Sequence, residues 1–99
     1  MLELKETAAL MSSDDYKERF AAEYYQEETR YLKLKAMLEK WDVGTLGFTP
    51  TCPRKLYDRQ RSAMLAKLQV LVKRAELEGV KLNIDKTVSN ILKIHNYED

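Results

Sequence analysis

"EYYQEETRYLKLKAMLEKW", residues 23–41, decides the fold. Apolar or aromatic residues recur every three or four positions. Counted from Phe20, the stripe reads Phe20, Tyr24, Glu27, Tyr31, Leu34, Leu38, Trp41. Alternating steps of four and three make a heptad seam, the mark of a helix that packs along another helix. Glu27 stands where an apolar residue belongs. A carboxylate there marks either a polar register device or the partner of an Arg or Lys on the facing helix. The sequence predicts that Glu27 faces solvent, or an Arg or Lys of the second long helix or of a neighbouring chain.

Working backward, no Gly or Pro lies between 12 and 43, so nothing breaks a helix over about 13–41. Ser12 and Ser13 are candidate N-caps, with Asp14 and Asp15 in the first turn, where the helix dipole favours negative charge. Such a helix is roughly 42 Å long at 1.5 Å per residue. Before it, "LELKETAAL" has helical character. Either Met11 is the natural start with an extension before it, or residues 1–11 form a short docking helix.

Working forward, "DVGTLGFTPTCP", residues 42–53, is the clear connector, with the loop taken as 42–52. Gly44 and Gly47 permit positive φ, and Pro50 and Pro53 restrict the chain. Leu46 and Phe48 are expected to tuck over the end of the helix pair. Pro53 is read as the first helical residue, capped by Thr51 or Cys52. The second helix runs over about 53–78 and ends at Gly79, a left-handed C-cap. Its apolar residues include Leu56, Tyr57, Ala63, Met64, Leu68, Leu71 and Ala75, and Leu65, Val70, Val72 and Leu77 widen the surface. "VKLNI", 80–84, alternates and reads as extended. Asp85 caps a last short helix carrying Val88, Ile91, Leu92 and His95, and "NYED" is a tail. The fold class is all-α: one domain over 1–99, an antiparallel two-helix hairpin with a C-terminal segment at 80–99.

The composition narrows the function. Of the 99 residues, 44% are hydrophobic and 33% charged, and the net charge is +1. Those values disfavour a disordered chain, a membrane partner and a strongly basic nucleic-acid binder. One cysteine, Cys52, and one histidine, His95, leave no internal disulfide and no recognisable metal set. Glu23, Glu27 and Glu28 cluster, but no nucleophile or metal accompanies them, so neither an enzyme nor a cofactor is expected. Apolar surface exceeds one stripe on each long helix. A second copy is the simplest cover, so a homo-oligomer, at least a dimer, is expected.

Two groups of residues are candidates for binding. "PRKLYDRQR", 53–61, gathers Arg54, Lys55, Arg59 and Arg61 at a helix start, where anions rather than cations are favoured. Free amides and guanidiniums there suit a phosphate or carboxylate. A solvated basic face, or pairing with the acidic first helix, explains the same residues. Tyr24 and Tyr31 (with Tyr25), and Arg30 between them, have the chemistry to stack a base and hold a phosphate. Helix packing, with the hydroxyls at the edge, is the better explanation for at least two of the three tyrosines. Cys52 and His95 are read as structural.

The chain resembles small helical-hairpin proteins of phages and prophages of Gram-positive bacteria over about 16–82. A "KLxxML"-like run is matched by Lys33, Leu34, Met37 and Leu38. A "QxxAM" run is matched by Gln60, Ala63 and Met64. An "RAExEG" run is matched by Arg74, Ala75, Glu76, Glu78 and Gly79. The chain departs from that pattern at Glu27, Glu28 and Thr29. The group is similar to the hairpin domain of phage anti-defence sponges, which sequester cyclic-nucleotide signals of the CBASS and Thoeris immune systems. The resemblance implies a non-enzymatic oligomer in the host cytoplasm whose aromatic and basic pockets hold a signal uncleaved. A protein-binding inhibitor of a defence system, anti-CRISPR-like, is the alternative. A ligand-free structural or regulatory protein is the third reading.

Overall fold

A computed structural model describes residues 3–95, with side chains through Lys93. Among the described residues every regular element is a helix, with no strand. A 3-10 turn, Leu4–Thr7, runs into α1, Ala8–Met11. The long helices are α2, Tyr16–Asp42, and α3, Arg54–Glu78, and α4 spans Lys86–His95. The side chain of His95 and the tail "NYED" lie outside the described residues.

The break before α2 falls after Met11, but neither serine caps the helix. Asp15 is the N-cap, and its carboxylate accepts from the Lys17 amide at 2.9 Å. Ser13 instead accepts from the Asp15 amide at 3.0 Å and donates to Glu18. A short side chain two residues before the cap orders the entry turn, and the aspartate satisfies a first-turn amide. From there α2 is unbroken. At roughly 1.5 Å per residue its 27 residues account for almost all of the molecule's 43 Å long dimension.

α2 and α3 pack along each other in opposite directions. At one end the Tyr16 hydroxyl donates to Glu78 at 2.6 Å and accepts from Arg74 at 3.0 Å. Midway, Lys67 lies 3.4 Å from Glu27 and 3.6 Å from Glu23. At the other end Trp41 meets Tyr57 edge-on, ring centres 5.8 Å apart. Glu27 thus faces a lysine of the second long helix. Phe20, Tyr24, Tyr31 and Leu38 of α2 are buried, as are Leu68, Leu71 and Ala75 of α3.

α2 is covered on more than one side. Ala22 and Thr29 are buried, roughly half a turn away from the Tyr24 stripe. α1 and the 3-10 turn before it pack on α2 at this side: Gln26 donates to the Thr7 hydroxyl at 3.0 Å, and Lys33 reaches Glu3 at 3.5 Å. The residues after α3 cover a third side. Gly79 ends the helix at φ 71°, a conformation that a side chain would strain. Residues 80–85 then cross α2 without forming a ladder, placing Val80, Leu82 and Ile84 with the core, and α4 adds Val88, Ile91 and Leu92.

Candidate functional site

The loop end of the helix pair holds most of the predicted basic residues. α2 ends at Asp42, and Gly44, at φ 76°, turns the chain away. Gly47 has an ordinary φ, so only one of the two loop glycines supplies a left-handed residue. Pro53, with φ −60° and ψ 144°, is the N-cap of α3 rather than its first helical residue, and Arg54 opens the helix.

Two of the four cations at this helix start, Arg54 and Arg61, are explained by their partners. The Arg54 guanidinium bonds Asp42 at 2.6 and 3.4 Å and Asp58 at 2.9 Å. It also lies 5.2 Å from the centre of the Trp41 ring. This fork ties the end of α2 to the start of α3. The hydrogen bond to Asp42, then that to Asp58, raises the guanidinium pKa, and Arg54 holds the Asp42 carboxyl below its usual range. Arg61 approaches the same Asp58 oxygen at 3.4 Å. Arg54 and Arg61 are therefore brought together, but around carboxylates. Lys55 and Arg59 are exposed and have no ion-pair partner among the described residues, and Arg30 is exposed on α2.

Tyr24 and Tyr31 are placed differently. Both are core residues, at 0% and 3% exposure, and no face of either ring is open within the chain. Burial is the main cause that pushes both phenols above their usual pKa. The Tyr24 hydroxyl donates to Glu28 Oε2 at 2.7 Å, and the backbone amide of Asp85 donates to the same oxygen at 2.9 Å. Tyr25 supports the same segment, its hydroxyl accepting from the Asn83 amide at 2.8 Å. Asp85 then caps α4, accepting from the Thr87 amide at 2.9 Å. The tyrosine cluster is a clasp for the segment after α3. Glu28, 1% exposed, is its central acceptor.

An open aromatic does exist nearby, in the loop. Phe48 is 59% exposed, so it does not tuck over the helix ends, whereas Leu46 is half-buried. Trp41, Gly44, Leu46, Phe48, Thr49 and Pro50 line a shallow recess of about 310 Å³. That is the lower end of the ligand-pocket range, enough for one base and its sugar. Sequence periodicity gave Phe48 no signal, because loops have none. Its one cue was an aromatic between glycine and proline. Cys52 is a free, exposed thiol in the same loop. Among the described residues, no cluster of His, Cys, Asp and Glu is placed to hold a metal, and no helix is long and apolar enough to cross a membrane.

Two long helices, a short loop and a basic, aromatic loop end describe a binding scaffold, and comparison with known proteins agrees. The model of the family described as Sequestin matches residues 14–77, which covers both long helices and the loop between them. The chain belongs to the Sequestin family, whose name denotes sequestering: binding rather than catalysis. No curated protein and no solved structure matches the chain.

Proposed function

We propose that this chain is a phage or prophage anti-defence protein, a non-enzymatic sponge that sequesters a cyclic-nucleotide immune signal of its bacterial host. Membership of the Sequestin family over residues 14–77 carries this reading. The ligand site is the loop end: Phe48 stacks a base beside Trp41, and Lys55 and Arg59, exposed in the first turns of α3 outside that recess, supply positive charge that attracts the phosphates. Arg54 and Arg61 hold the site's shape through Asp42 and Asp58 and present the remaining edges of their guanidiniums. The protein works in the host cytoplasm as a homo-oligomer, because a recess of this size encloses only part of a cyclic dinucleotide.

The test is a thermal-shift titration with cyclic di- and trinucleotides and cyclic ADP-ribose isomers. A ligand at a hundred times its Kd stabilises the folded state by about 2.7 kcal/mol. For a chain of this length that raises Tm by roughly 10 °C or more. No shift with any of these compounds sinks the reading. The alternative, a protein-binding inhibitor of a defence system, draws support from the exposed apolar residues of α3. It prevails if a defence protein co-purifies from host lysate while no nucleotide shifts Tm.

A further inference from the structure

Between α3 and α4 lies a recess of about 380 Å³, away from the loop end. Three of the side chains lining it are apolar: Val72 of α3, Ile84 just before α4, and Leu92 of α4. Each is only half-buried and packs against the core from this side. The exposed residues lining the recess are charged: Lys73 and Glu76 on α3, and Lys93 on α4. The clasp at Glu28 and the Asp85 cap hold the start of α4. Its ten residues are fewer than the roughly 12–15 that a helix needs to be stable alone, so its far end depends on packing.

The chain leaves α4 beside this recess, since Lys93 lines it and α4 ends at His95. The next residues are Asn96, Tyr97, Glu98 and Asp99: one aromatic ring followed by two carboxylates. That composition complements three apolar side chains bordered by two lysines. We propose that residues 96–99 fold back as a strap over the recess, with the Tyr97 ring on Val72, Ile84 and Leu92 and the two carboxylates directed to Lys73 and Lys93. The reach is sufficient. Four extended residues span up to about 14 Å, whereas packed helix axes are roughly 8–10 Å apart. Glu76 repels the carboxylates and so directs them to the lysines. Ion pairs this exposed are weak singly, but a four-residue tether holds the strap at an effective concentration on the order of millimolar, so weak contacts suffice. The strap secures the end of α4 as the Glu28 clasp secures its start, and it does so whether or not the loop end binds a nucleotide.

Thiol protection tests this in the full chain carrying Cys52→Ser, with a cysteine placed by Val72→Cys and its modification by N-ethylmaleimide timed. Gln69→Cys, at another position lining the recess, serves if Val72→Cys does not fold, and circular dichroism checks folding throughout. The control is Val70→Cys, because position 70 is exposed and lies roughly 200° around α3 from position 72. Adding Tyr97→Ala, or truncating the chain after His95, is expected to speed modification at position 72 about tenfold and to leave position 70 unchanged. Lys73→Glu with Lys93→Glu is expected to speed it as well, and adding Glu98→Lys with Asp99→Lys to restore the slow rate. Equal rates at position 72 with and without residues 96–99 overturn the strap. So does a rate that stays slow after truncation, since something else then covers the recess, or a change of the same size at position 70. Charge reversal that the second pair of substitutions fails to rescue overturns the pairing with the lysines.

Discussion

Glu28→Ala is expected to lower stability by roughly 2–4 kcal/mol and Tm by roughly 10–20 °C. The size follows from what the carboxylate leaves behind. Its Oε2 accepts from both the Tyr24 hydroxyl and the Asp85 amide, in a place with 1% exposure. Truncation strands both donors, at about 1–3 kcal/mol for each one that water cannot reach. It also releases the start of α4, whose first turn depends on Asp85. Glu28→Gln keeps a carbonyl oxygen for both donors, so it should cost less than Ala. Glu28→Leu should cost as much as Ala, and adding Tyr24→Phe should recover part of the loss by removing one stranded hydroxyl. The double-mutant cycle isolates that coupling. Thermal and urea melts of these variants, with Tyr24→Phe alone to complete the cycle, measure these effects. A change under about 0.5 kcal/mol for Glu28→Ala, the range of ordinary surface substitutions, would show that the clasp contributes nothing.

Phe48→Ala is expected to have the largest effect on binding. The ring is exposed and lines the loop recess beside Trp41. Losing a base–aromatic stack costs about 1–3 kcal/mol, which is roughly a 5- to 150-fold rise in Kd. Tm without ligand should change little, because so little of the ring is shielded in the free protein. That separation distinguishes a ligand-contacting residue from a structural one. Calorimetric titration of the variant with the nucleotide that stabilises the native protein gives the answer. An unchanged Kd moves the ligand away from the loop.

The helices were legible because their signals are local. An unbroken span from 16 to 42, a proline before α3 and a glycine after it fix where helices start and stop, give or take one turn. The placing of Glu27 against Lys67 was legible too, since a carboxylate in a heptad seam needs a cation or water. The burial of Glu28 was not. Heptad counting assigns one buried stripe to a helix, whereas α2 is covered by α1, by α3 and by residues 80–88. A residue beside the stripe then becomes as buried as one within it. The Tyr24–Glu28 spacing of four was the available cue, and it gains meaning only once Asp85 arrives from 57 positions away.

The candidate site was legible in its chemistry and less so in its membership. The basic start of α3 stood out because its charge opposes the helix dipole. Its explanation involved Asp58, one turn on, and also Asp42 and Trp41, residues across the loop that no helical spacing connects to Arg54. The tyrosines had the right chemistry for stacking, but the Tyr24 and Tyr31 rings supply the core, and the Tyr24 hydroxyl, through Glu28, and the Tyr25 hydroxyl hold the C-terminal segment. Periodicity cannot tell an aromatic that packs from one that waits for a ligand, because both occupy the same positions on a helix.

The central claim, that the chain binds a cyclic-nucleotide signal and withholds it without cleaving it, is tested most directly by recovery. The protein is incubated with the nucleotide that shifts its Tm, the free ligand is removed by filtration, and the retained fraction is heat-denatured and analysed by mass spectrometry. Stoichiometric depletion of the nucleotide, followed by its release at unchanged mass, is the predicted result. A nucleotide that is never depleted, or that is released as a hydrolysed product, would contradict the account.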